Sequence, residues 1–117
     1  MKRILAAFVN SVAGLKHGFK NETPIREEII LLLISLPVAV FISENAWQFL
    51  LLISVVLLIL IVELLNTGIE ALADKITLEH SQQIKIAKDC GSAAVLGATI
   101  ISASVWGLAL WEYFINS

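Results

Sequence analysis

Three stretches of the chain carry no ionisable side chain: 29–43, 45–62 and 90–111, of 15, 18 and 22 residues. At 1.5 Å per helical residue the last two reach about 27 and 33 Å, enough for a ~30 Å hydrocarbon core. The first is short and contains Pro37. A helix there can borrow length from Arg26, Glu27 and Glu28, whose charges belong at the interface, and proline is tolerated in membrane helices. The pattern predicts three transmembrane helices, over about 26–43, about 46–74 (with a cytoplasmic extension) and about 85–114. Ahead of them Ile4, Leu5, Phe8, Val9, Val12, Leu15 and Phe19 recur at helical spacing, with Arg3, Asn10, Lys16, His17 and Lys20 around them. That predicts an amphipathic surface helix over about 4–20, lying in the cytoplasmic interface. A cleaved signal peptide competes for this segment. Its apolar stretch, 4–9, has only six residues, short of the roughly 7 to 15 such peptides use, so retention is expected.

Composition agrees with a bilayer as solvent: 58% of residues are hydrophobic and 15% charged, against about 45–50% and about 25% in soluble domains. An ordinary soluble domain is excluded, and a single integral membrane domain covering 1–117 is expected. The net charge of −2 leaves no excess of cations for nucleic acid. A lone cysteine, Cys90, forbids a disulfide within the chain. Lys2, Arg3, Lys16, Lys20 and Arg26 precede the first span, and Lys75, Lys85 and Lys88 lie between the second and third. By the positive-inside rule the N-terminus and segment 66–88 are cytoplasmic and the C-terminus faces out. Trp47, Trp106, Trp111 and Tyr113 then fall toward the outer helix ends, as an aromatic belt does.

The residues that invite a chemical reading stand at the cytoplasmic end of the second span. Glu63, Asn66, Glu70 and Asp74 fall within an arc of about 80° at 100° per residue, a polar stripe about 16 Å long on one helix. The plainest reading is the solvated face of a helix leaving the membrane. It suits Asp74 better than Glu63, which directly follows eighteen uncharged residues, where an ionisable group is costly unless it serves a site. Glu22, Arg26 and Glu28 come to the same level before the first span. Pro24 places the start of that helix near it, with Glu22 just outside and free to face Glu70; a Glu22–Arg26 surface pair is the alternative. Lys85, Lys88, Asp89 and Ser92 share a face at the start of the last span, beside the small residues Gly91, Ala93, Ala94, Gly97 and Ala98, which suit close helix packing. Clustered carboxylates repel unless a cation sits among them. Oxygen-only ligands suit Mg²⁺, which bridges one or two carboxylates to phosphates, while Lys88 and Arg3 can hold phosphate oxygens. Phosphoryl transfer onto a lipid hydroxyl arriving beside Glu63 is the chemistry this pattern suggests, although neither a P-loop nor the protein-kinase motifs are present.

The stretch Glu63-Leu64-Leu65-Asn66-Thr67-Gly68-Ile69-Glu70-Ala71-Leu72-Ala73-Asp74 resembles the signature of the prokaryotic diacylglycerol kinase family. Ala87-Lys88-Asp89-Cys90-Gly91-Ser92-Ala93-Ala94-Val95 is similar to its second block, and Asn21-Glu22 through Arg26 and Glu28 to a third. The resemblance implies a small homotrimeric kinase of the bacterial inner membrane, with three transmembrane helices and a surface helix per subunit. It implies ATP and Mg²⁺, diacylglycerol as acceptor and phosphatidic acid as product. It implies Glu63 as the general base and Glu22 and Glu70 as metal-binding carboxylates. Ser11, Glu22, Glu70, Lys88 and Asp89 match nucleotide-contacting positions, Arg3, Glu28, Asn66 and Ser92 positions near the lipid substrate, and Asp74 a site-lining residue. Sites of the family form between subunits. Asn10 and Val12 stand where the best-known branch has aromatic residues, His80 stands near an expected tyrosine, and Lys85-Ile86 replaces a glycine-arginine pair. An undecaprenol kinase branch also exists; Asn21-Glu22 and Gly91-Ser92-Ala93-Ala94 look more like the diacylglycerol branch.

A small multidrug-type transporter is the alternative of a different class. Transporters place ionisable residues near the midplane, whereas these carboxylates gather at one end. A non-catalytic membrane helper gives no reason to align Glu63, Asn66, Glu70 and Asp74.

Overall fold

The computed structural model describes residues 1–77 and 79–116, and among them the regular structure is entirely helical: α1 Lys2–Asn21, α2 Thr23–Ile42, α3 Ala46–Ile76 and α4 Gln82–Ile115. Most boundaries expected from sequence shift outward by one to three residues, because a helix runs on past its apolar stretch as long as caps and polar residues permit; α3 starts at 46 as expected, and α2 ends one residue early, at Ile42. Thr23-Pro24 opens α2, proline being pre-organised for the first turn. Glu22 alone separates α1 from α2, with extended φ −118° and ψ 109°, closing one helix and opening the next. The alternative, a surface pair of Glu22 with Arg26, is not what forms among the described residues. Arg26 instead donates from Nη1 to the Phe19 carbonyl at 3.4 Å and from Nη2 to Thr23 Oγ1 at 3.4 Å, placing a cation on the carbonyl end of α1. Asn45 caps α3, its side chain accepting from the Gln48 N–H at 2.9 Å.

Helices α2, α3 and α4 pack as an antiparallel set. Residues near the start of α4 meet the end of α3, and Trp106 reaches back to Leu52. The apolar core sits at the far end from the carboxylates, where Ala39, Ile42, Leu52 and Ala109 are buried against Phe49, Trp106 and Tyr113. Trp106, expected as a belt residue, is instead half-buried, and its indole N–H donates to the Leu52 carbonyl at 3.0 Å. Trp47 and Trp111 remain exposed. Pro37 lies inside a continuous α2, where the nearby Ser35 hydroxyl donates to the Leu32 carbonyl at 2.7 Å.

Among the described residues two helices are long and apolar enough to cross a membrane, the most apolar 18-residue stretch having mean hydropathy 2.9 in α3 and 1.9 in α4. The 20-residue α2, which carries Arg26, Glu27 and Glu28 near its start, does not meet the same measure. Helix α1 leaves its apolar face uncovered, with Ile4 68% and Phe8 67% exposed. It joins the rest at an elbow where Gly18 is buried against Ile25; a Cβ at Gly18 would stand 2.8 Å from Ile25 Cγ2. Here glycine is required by close approach of the next helix.

Candidate functional site

The polar stripe of α3 divides along its length. Its membrane end is buried: Glu63 and Asn66 are only 8% and 7% exposed, while Glu70 and Asp74 stand in the open. A carboxylate and an amide sunk at the end of an apolar helix must find partners or serve a ligand. Asn66 donates from Nδ2 to Glu70 Oε1 at 3.2 Å, one helical turn further on. Glu63 faces α2, where Glu28 lies within electrostatic reach, and it is also within reach of Glu70 and of Glu22 at the α1–α2 junction. Four carboxylates from three elements thus converge on one end of the bundle. Glu28 Oε2 and Asn66 Oδ1 are both buried there with no hydrogen-bond partner among the described residues.

The cations take two places. Lys88 crosses from α4 to α3, its ammonium 2.8 Å from Asp74 Oδ1 and within reach of Glu70. Lys85, on the same helix, pairs with Asp89 at 2.7 Å in the open. Sequence spacing puts these groups on one face of α4 but does not say that Lys88 turns to α3; that link joins residues 14 positions apart. Ser92 is exposed close to Gly91, which is buried against Asn66. Arg3 and Ser11 stay apart from the cluster within the protomer. They precede Glu22 on a continuous α1, which sets them about 28 and 16 Å back along its axis.

Ser11 instead borders a groove of about 1190 Å³ between α1, α2 and α3, lined mostly by apolar groups such as Leu15, Ile29, Leu32, Leu60 and Leu64 and touching Glu22 at its rim. Sequence reasoning named none of these apolar residues as site-lining. Periodicity marks them as helix faces without saying that three faces leave a gap.

Such a fold and site define a class: a small all-helical protein with apolar helices of membrane-spanning length and an acidic cluster at one end. The prokaryotic diacylglycerol kinase family matches residues 9–110. Diacylglycerol kinase of Escherichia coli strain K12 is 40% identical over 112 residues, covering 96% of this chain and 92% of the relative. That of Haemophilus influenzae is 43% identical over 97 residues, 83% of this chain and 82% of its own. That of Pseudomonas aeruginosa is 40% identical over 110 residues, 94% and 89% respectively. The chain belongs to the prokaryotic diacylglycerol kinase family.

Proposed function

We infer that this protein is a lipid kinase that transfers the terminal phosphate of ATP to diacylglycerol, giving phosphatidic acid and ADP at the cytoplasmic face of a bacterial inner membrane. The observation that carries the reading is that Glu22, Glu28 and Glu70 all come within electrostatic reach of the buried Glu63 at one end of the apolar helices. Relatives covering most of the chain are named diacylglycerol kinase, which favours that acceptor over undecaprenol.

The lipid hydroxyl enters from the bilayer beside α2 and α3, where the unpartnered Glu28 Oε2 offers it an acceptor. Glu63 takes the hydroxyl proton as the lipid oxygen bonds to the γ-phosphorus and the bond from that phosphorus to the bridging oxygen of ADP breaks. Lys88 turns from Asp74 toward the phosphate oxygens, supplying a positive charge where negative charge is handed on. Asn66 holds Glu70 in place. Asp89 and Ser11 contact the nucleotide, Arg3 and Ser92 the lipid, and Asp74 lines the site.

Glu22 and Glu70 would hold Mg²⁺. The donor chemistry fits: both offer hard oxygen ligands, and two carboxylates leave positions for phosphate oxygens and water. When bound, Mg²⁺ offsets phosphate charge and orients the terminal phosphate.

Helix α2 is the third span. Its apolar body is short, but Arg26 and the acidic residues beside it end it at the interface. The assembly is a homotrimer. Exposed apolar residues on the lipid-length helices and the open groove beside Ser11 give a neighbouring subunit a place to pack, and a neighbour can bring its Arg3 and Ser11 to a site that one protomer leaves incomplete.

The test supplies purified protein with γ-labelled ATP, Mg²⁺ and diacylglycerol, undecaprenol or no lipid in mixed micelles. Label is expected in phosphatidic acid. Label in neither lipid overturns the kinase reading, and preferential labelling of undecaprenol reassigns the acceptor.

A further inference from the structure

The Asn66 amide has one orientation that satisfies Glu70. Its Nδ2 donates to Glu70 Oε1 at 3.2 Å, which turns Oδ1 away. That oxygen is buried without a hydrogen-bond partner among the described residues. It lies against Gly91 of α4, itself buried. A Cβ on Gly91 would collide with Oδ1 and stand 3.0 Å from Cγ of Asn66. The amide therefore occupies the space a side chain at 91 would fill. No glycine among the described residues has positive φ, so backbone conformation does not call for glycine here; the close approach does. Only glycine leaves a Cα–H toward the oxygen, a weak donor in place of a full hydrogen bond. Gly97 and Gly107 on the same helix have nothing within 4 Å of an added Cβ, so the crowding is specific to position 91.

A methyl at 91 forces either α4 away from α3 or the amide out of its place. Rotating the amide breaks its bond to Glu70 and moves the group that also bears on Glu63. We propose that Gly91 is a positioning residue of the kinase reaction: by leaving room for the Asn66 amide, it fixes that amide between Glu63 and Glu70 and so sets the base and the second carboxylate relative to each other. This rests on the function inferred above.

The test is a double-mutant cycle on the full-length protein in mixed micelles, using Gly91→Ala, Asn66→Ala and the two combined, with Gly97→Ala as a control for helix propensity. A wild type without lipid kinase activity overturns the functional reading, and this proposal with it. With an active wild type, Gly91→Ala lowers kcat about 10- to 100-fold, the usual cost of disturbing a group that orients ligands. Its KM for diacylglycerol stays within about twofold, and Gly97→Ala matches wild type. In the Asn66→Ala background the alanine at 91 adds no further loss. The thermal unfolding midpoint, measured without metal or nucleotide, follows the same cycle: lowered by Gly91→Ala alone, unchanged by it once Asn66 is truncated. Wild-type activity in Gly91→Ala, or additive losses in the double variant, overturns the proposal. Should Gly91→Ala not fold, recovery of folded protein in the double variant supports it, and failure of both overturns it.

Discussion

Lys88 shows how a magnitude separates a structural role from a chemical one. Its pair with Asp74, at 2.8 Å, is about half exposed on both sides, and exposed ion pairs add little net stability. That is too little to account for a lysine placed between the end of α3 and the acidic cluster, and the ammonium is free to exchange one anionic partner for another. Lys88→Met is expected to leave the thermal midpoint nearly unchanged. It should lower kcat/KM for ATP by about tenfold or more, the worth of one charge-assisted hydrogen bond. A stability loss with full activity would place the residue in the scaffold. Glu63 is the opposite case, because it is buried with no compensating ion pair among the described residues, and its neighbours Glu22, Glu28 and Glu70 are all acidic. The stripe that identifies it is visible in the sequence because i, i+3 and i+4 spacing alone puts these residues on one face. The approach of Glu28 to Glu63 is not visible there, since it depends on how α2 crosses α3.

At the scale of the helices, periodicity and charge-free length are sufficient to find all four, and Pro24 is sufficient to set the break at Glu22. What they leave out is set by contacts between helices. Trp106 looks like a belt residue because the helical pattern gives only its depth along α4, not the face it presents. In the fold it ties α4 to α3 through the Leu52 carbonyl at 3.0 Å, a bond in apolar surroundings that water does not replace. Trp106→Phe keeps most of the buried ring and removes the donor. It should lower stability by about 0.5–1.5 kcal/mol with kcat intact, read as a lower thermal midpoint. An unchanged midpoint would mean that the indole contributes only its area. The same limit explains Gly18 and Gly91: a sequence shows that they are small, while only the packed helices show what each makes room for.

For the molecule as a whole, the protomer measures 55 × 38 × 23 Å, with its acidic cluster at one end of α3 and its aromatic core at the other. The proposed placement, with the N-terminus inside and α2 as a third crossing, rests on the basic residues that gather at the acidic end. In a Cys90→Ala background, a membrane-impermeant maleimide applied to intact cells should label Asn45→Cys and Asn116→Cys, whereas Lys2→Cys and His80→Cys should require permeabilisation. Labelling of Asn45→Cys and Lys2→Cys from the same side would remove α2 as a span. Arg3 and Ser11 lie too far back on α1 to join the cluster of their own protomer, so the part proposed for them in the site rests on the proposed assembly, which one chain's spacing does not show. The central claim is that a buried carboxylate at the inner end of α3 takes the proton of a lipid hydroxyl during phosphoryl transfer. Steady-state turnover of Glu63→Gln with diacylglycerol and MgATP tests it most directly. A fall in kcat of about 10²- to 10⁴-fold, with trimers intact and both KM values little changed, is the predicted result; wild-type turnover in that variant would contradict it.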